Sequence, residues 1–211
     1  MENIKSKNKL IIIGASGHGK VAADIAKKMN KWQQIFFLDD DEAVRHSLGI
    51  DVIGKSNDVL SYITDYDIFV AIGNNKIREK FQSHLKMSGA SIPLLVHPNA
   101  VIGENVEMGA GTVVMAGAVI NCCSRIGVGC IVNTGAIIDH DSIIEDYVHI
   151  SPGAHLAGTV KVGKGTWLGI GSVVSNNLNI TNCCIIGAGA VVVRDILDAG
   201  TYIGVPARKV N

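Results

Sequence analysis

The sequence predicts two units of different class: an α/β unit over residues 1–95 and a three-sided parallel β-helix over residues 96–211. Three observations carry this expectation. A strand, a glycine loop and a helix follow one another at the start of the chain. A six-residue period runs unbroken from residue 96 to residue 197. The residues before 96 show none of that period.

In the first unit, Lys9–Ile13 is an apolar run of strand length, followed by Gly14-Ala15-Ser16-Gly17-His18-Gly19 and a helical segment over residues 20–29. This is the order that opens a nucleotide-binding α/β unit of Rossmann-like type, where loop amides and the helix start cradle a pyrophosphate. The spacing is G-x-x-G-x-G, which departs from the dinucleotide spacing G-x-G-x-x-G. The next strand, Gln34–Leu38, runs into Asp39-Asp40-Asp41, and an acid about 20 residues past such a loop typically holds a ribose hydroxyl. Residues 67–72 read as a further strand, followed by Gly73-Asn74-Asn75 and a helix over residues 76–86. A parallel sheet of about four strands with flanking helices is expected. Its carboxyl edge gathers Ser16, Gly17, His18, Asp39, Asp40 and Asn74 as a nucleotide or nucleotide-sugar site. The alternative is a plain cap with ordinary tight turns.

In the second unit an aliphatic residue opens each hexad, from Val96, Ile102 and Met108 through Ile138, Ile144 and Ile150 to Val192. Four residues later stands a small or aliphatic side chain, as at Ala100, Thr112, Ser142 and Ala190. Both positions point inward, because a triangular column has little interior room. Gly103, Gly109, Gly127, Gly163, Gly169 and Gly187 follow the opening residue, where a corner is expected to need dihedrals closed to other residues. Three hexads close one coil of 18 residues, and the 17 hexads make five to six coils stacked about 4.8 Å apart. The solenoid needs caps, expected from the first unit and from the segment after Leu197.

Composition narrows the function. Nineteen basic and 19 acidic residues cancel, and aromatics are only 5% of the chain, so an electrostatic or base-stacking nucleic-acid surface is not expected. Residues 1–9 are polar with no apolar leader, and no apolar run reaches membrane-span length, which predicts a cytoplasmic protein without membrane attachment. Five cysteines, an odd number, fit a reducing compartment. Cys122-Cys123 and Cys183-Cys184 invite a zinc reading, but Cys130 and Cys184 face inward three coils, about 14 Å, apart. Small core and corner residues are expected instead, and no metal.

Three histidines stand close together in the column: His140, His149 and His155. His140 is the third residue of its hexad, directed outward, with Asp139, Asp141, Glu145 and Asp146 near it in sequence. A carboxylate beside an imidazole orients it and raises its pKa toward working pH, so His140 is a candidate general base. His149, the sixth residue of the next hexad, is expected near a corner, and His155 one face further round. No hydroxyl or thiol is placed beside His140 as a nucleophile.

The chain resembles the PglD/NeuD-type sugar acetyltransferases, hexapeptide-repeat acyltransferases with an N-terminal nucleotide-sugar-binding domain. The likeness is carried by I-G-A-S-G-H-G at residues 13–19, F-L-D-D at 37–40, A-I-G-N-N-x-I-R at 71–78, I-D-H-D at 138–141, His149 and I-G-V-P-A-R at 203–208. It implies that the β-helix is left-handed and that acetyl-CoA lies between two columns of a homotrimer. His140 would take a proton from the attacking acceptor, Asp141 would orient it, and His149 would contact the thioester carbonyl. A backbone amide near Gly158, one coil on from His140, would stabilise the oxyanion. Ile170, Ala188 and the tail with Pro206 would line the pantetheine channel, and Arg208 and Lys209 would meet the phosphates. Ser16, Gly17, His18, Asp39, Asp40 and Asn74 would hold the uridine diphosphate. The expected reaction is acetylation of the 4-amino group of a UDP-linked amino-dideoxy sugar. Open beside it are GDP-perosamine N-acetylation, O-acetylation of a sugar or sialic acid, and a scaffold or metal protein on the same column.

Overall fold

Apolar character on both faces makes a strand central in a parallel sheet, and β1 (Lys9–Ile13) takes that place, with Leu10 to Ile13 fully buried. The computed structural model describes residues 7–210, and the chain parts into two compact units between Leu95 and Val96. Residues 1–6, part of the stretch read as free of a leader, lie outside the described residues.

In the first unit β1 leads into α1 (Gly17–Met29), then β2 (Gln34–Leu38), the short strands β3 (His46–Ser47) and β4 (Ile50–Asp51), β5 (Asp67–Val70) and α2 (Asn75–Met87). The sheet is parallel in the order β2-β1-β5, with Ile11 opposite both Phe36 and Ile68. It has three strands among the described residues, where about four were expected. Residues 46–51 instead form an antiparallel hairpin turning on Leu48 and Gly49, both left-handed at φ 52° and 69°. Two-residue hairpin turns of that hand match the strand twist. α1 buries Gly19, Ala22, Ala23, Ile25 and Ala26 and ends at the left-handed Asn30, with Lys27 and Lys28 in the last turn facing the negative end of its dipole. Asn74 caps α2 by accepting from the Ile77 N–H at 3.1 Å.

The second unit is a β-helix of two-residue strands in three sheets. The first face runs from Val101–Ile102 to Val191–Val192, the second from Glu107–Met108 to Asn179–Ile180, and the third from Leu95–Val96 through Ile185–Ile186 to the C-terminal strands. Partners within the repeat are 18 residues apart, as Val119↔Ile137 and Ile137↔His155. The second residue of each strand packs inward, giving a core that includes Ile120, Ile138, Leu156, Val174 and Val192. The first residue points out.

Glycine after the opening residue has a different cause from the expected one. A Cβ on Gly127 would stand 2.6 Å from the Asp146 N of the next coil, so its absence lets the coils approach. The left-handed dihedral falls two residues later, at Gly129 (φ 64°), and recurs at the same hexad position at Gly135 (φ 64°) and Asp141 (φ 59°). At the far end Thr201–Ile203 continues the third face in parallel with Ile185–Ile186, then pairs antiparallel with Arg208–Val210. Among the described residues no helix is long and apolar enough to cross a membrane.

Candidate active site

His140 lies on the corner between the first and second faces, after the strand Ile137–Ile138 and before Ile143–Ile144. Its carbonyl accepts from the Thr159 N–H at 2.9 Å, and the next N–H, that of Asp141, donates to the Cys122 carbonyl at 3.2 Å. The peptide is thereby tied to the coils before and after it. The imidazole is half exposed, with Nδ1 at 2.8 Å from Asp141 Oδ2. A carboxylate only accepts, so Nδ1 carries the hydrogen of the neutral ring and Nε2 holds a lone pair. The hydrogen bond to Asp141 raises the His140 pKa, aided by the charge of Asp139. A Cβ on the buried Gly158 would meet Cε1 and Nε2 of this ring at 2.6 Å, so glycine at 158 is what lets the imidazole lie over the following coil.

Glu145 and Asp146, near His140 in sequence, face elsewhere. Glu145 binds the Lys164 N–H and Lys161, and Asp146 accepts from the Val128 N–H at 2.8 Å. They sit at the next corner round, leaving Asp139 and Asp141 as the carboxylates beside His140.

His149 is not at a corner. It is the outward residue of the strand His149–Ile150 on the third face, because each strand begins one residue before the aliphatic position. Its ring stacks on Trp167, with centroids 5.5 Å apart and planes 3° from parallel, and its Nε2 is 3.3 Å from Asn133 Nδ2. Trp167 in turn donates from Nε1 to Ser151 Oγ at 2.7 Å. Ile170 and Ala188 are exposed on the corner that follows this face, and Pro206 is exposed between the last two strands. A corner between two faces of a triangular column lies opposite the third face. One chain therefore keeps His140, Asp141 and Gly158 together and holds His149, Ile170 and Ala188 on the far side. His155 points out of the first face and joins neither group.

In the first unit the glycine loop is fastened by Asp39, whose Oδ2 accepts from the Ala15 N–H at 2.6 Å while Oδ1 accepts from the Asp41 N–H at 2.9 Å. Asp40 is turned to the Ser56 N–H at 2.9 Å. Ser16 precedes α1 without capping it through its hydroxyl, and nothing stands within 4 Å of where a Cβ of Gly17 would be. The first N–H groups of α1 lack helical partners, so this opening suits an anion. His18 supplies a main-chain amide there, but its Nε2 is shut away from solvent without a hydrogen-bond partner. Burial, and then the charge of Arg78, lower its pKa to about 4. Beside the loop a cavity of about 570 Å³ is lined by Ser16, Lys20, Arg45, His46 and their neighbours. A second, of about 380 Å³, carries Asp39, Asp41, Glu42, Arg45 and Lys55. Lys20 and Arg45 were not singled out from sequence; a basic residue after the last loop glycine was the available signal. Among the described residues no group of three or more His, Cys, Asp or Glu side chains is placed to hold a metal ion.

Comparison with known proteins adds an independent line. Residues 9–85 match the family model described as PglD N-terminal domain. The acetyltransferase domain of PglB from Neisseria gonorrhoeae FA1090, solved with acetyl coenzyme A, is 39% identical over 97% of this chain and 100% of that one, with a TM-score of 0.93. A histidine variant of perosamine N-acetyltransferase from Caulobacter crescentus, solved with CoA and GDP-perosamine, is 36% identical over 96% and 97% of the two chains, with a TM-score of 0.92. UDP-N-acetylbacillosamine N-acetyltransferase of Bacillus subtilis is 36% identical over 108 residues, and the match spans half the length of either chain.

Proposed function

Since this chain belongs to the hexapeptide-repeat sugar N-acetyltransferases of the PglD type, we propose that it acetylates the 4-amino group of a UDP-linked amino-dideoxy sugar with His140 as general base. The donor is acetyl-CoA, and the acceptor class is the nucleotide-linked amino sugars. The observation that carries the reading is the exposed imidazole of His140, held at Nδ1 by Asp141 and lying over Gly158.

The residues fit the donor. Ile170 is 63% exposed, Trp167 48% and Ile185 46%, and with the small Ala188 they offer an apolar strip for a pantetheine arm. When bound, acetyl-CoA supplies a thioester carbonyl to the attacking amine. His140 Nε2 takes the proton that the amine sheds as its nitrogen bonds to the carbonyl carbon, Asp141 stabilises the imidazolium that results, and as the C–S bond breaks that proton passes to the departing CoA thiolate. The Gly158 N–H serves as oxyanion donor, and His149, stacked on Trp167, serves the thioester of a site on another copy. This reading requires a homotrimer with shared sites, since His140 and His149 of one chain face apart. In the first unit Ser16, Gly17, the His18 amide and Asn74 hold the nucleotide with Asp39 and Asp40, and Lys20 and Arg45 add positive charge for its phosphates. Anchoring a remote nucleotide lowers the entropic cost of positioning a small amine.

GDP-perosamine is the second reading, favoured by the likeness to the Caulobacter enzyme. A panel of UDP- and GDP-linked amino sugars, incubated with acetyl-CoA and read by mass spectrometry, decides between them. One donor gaining a single acetyl group is expected, with His140→Ala slower by on the order of a hundredfold or more. Near-normal turnover by His140→Ala would remove His140 as the base.

A further inference from the structure

We propose that Asp139, held by Asn121 of the preceding coil, is a positioning residue for the His140 imidazole: it fixes the peptide from which the ring projects and sets a second negative charge beside it. The proposal rests on the assignment of His140 as general base.

Asp139 has a polar partner at every turn. Its Oδ1 accepts from Asn121 Nδ2 at 2.8 Å and from the His140 N–H at 2.9 Å. Its carbonyl accepts from Ser124 Oγ at 3.0 Å, and its N–H donates to the Leu156 carbonyl at 3.0 Å. Asn121 and Asp139 occupy the same hexad position one coil apart, so their bond runs along the column axis. With the His140 N–H taken by Asp139 and its carbonyl by Thr159, the backbone cannot rotate the ring away without breaking a hydrogen bond. Only the two side-chain torsions remain, and Asp141 and Gly158 limit those.

The ring therefore has one carboxylate bonded to it, that of Asp141, and a second, that of Asp139, held on its own backbone N–H and close enough to act by its charge. Other titratable groups on the elements packed around this corner are the thiols of Cys122 and Cys123 and the guanidinium of Arg125 on the coil before, and the imidazole of His155 and the ammonium of Lys161 on the coil after. Asp139's own carboxyl is kept below the usual range by the His140 N–H and by Asn121. It stays ionised throughout the range in which an imidazole titrates, and it acts on His140 as a fixed charge.

Asp139→Asn retains an oxygen for the His140 N–H and removes the charge. A merely structural defect would lower activity at every pH. Loss of the charge instead lowers the pH at which His140 becomes neutral. NMR titration of the His140 imidazole is expected to move down by roughly half a pH unit, and the acid limb of kcat to follow it. The plateau falls several-fold as the base weakens, while KM for acetyl-CoA holds. Asn121→Ala, which frees the carboxylate, is expected to lower kcat while KM for acetyl-CoA again holds, and it serves as the test should Asp139→Asn not fold; an unchanged kcat there overturns the proposal. A His140 titration and acid limb that overlay the wild type in the folded variant overturn the proposal. His140→Ala separates the two claims: if it is active, the base assignment fails; if it is inactive while the Asp139→Asn titration is unmoved, only the role of Asp139 fails.

Discussion

His18 illustrates how far burial takes a side chain from the role its place in a motif implies. The loop sequence offers it as a ligand contact, yet its Nε2 is enclosed and its pKa is lowered to about 4, by burial first and by Arg78 second. The folded chain holds this imidazole neutral between about pH 6.5 and pH 4, where the unfolded chain protonates it. Above that window it contributes no pH dependence; as pH falls through it, stability is lost. Between pH 7 and pH 4.5 the wild type should lose about 2–3 kcal/mol more than His18→Gln, measured by urea unfolding at both pH values. Equal losses would show that His18 is not held neutral. Asp39 teaches the same lesson: its place after β2 was legible, but its bond to the Ala15 N–H was not. Sequence separation hides such partners, and side-chain direction decides them.

Within the repeating elements, glycine does two separable jobs that one substitution each can tell apart. Gly127 gives the next coil room, whereas Gly135 supplies a left-handed backbone at φ 64° with nothing within 4 Å of its absent Cβ. Gly127→Ala should cost about 1–3 kcal/mol through forced separation of coils. Gly135→Asn should stay within about 0.5 kcal/mol, since Asn tolerates that dihedral. Thermal unfolding of the two variants checks both, and equal losses would refute the distinction. The period made the column legible because inward positions must recur with each turn. Its phase was harder to read. Counting from the aliphatic residue put His149 near a corner, but the strand includes the residue before it, so the sixth position faces out from a flat side. The 18-residue step placed Gly158 under His140 correctly. The same step joins Asn121 to Asp139 and His149 to Trp167, but those contacts depend on rotamers that no period encodes.

For the whole molecule, the proposed base at His140 and the proposed thioester contact at His149 face apart on one column, so the proposed reaction needs sites shared between copies. Outward residues on the first and third faces are largely apolar, with Val101, Val173, Trp167 and Ile185 exposed, while the second face shows Glu107, Arg125, Lys161 and Asn179. Shared sites predict complementation. Inactive His140→Ala and His149→Ala chains, unfolded together and refolded as a mixture, should regain part of the wild-type turnover, because some sites then receive both histidines. No recovery from mixed assemblies verified by mass would exclude sharing. The C-terminal strands have a further consequence. Every earlier rung offers its successor a parallel edge, a template with no inherent end. The reversal at residues 203–208 sets a strand running the other way on the third face, so a further rung meeting that face would find the opposite backbone polarity from the one every earlier rung offered.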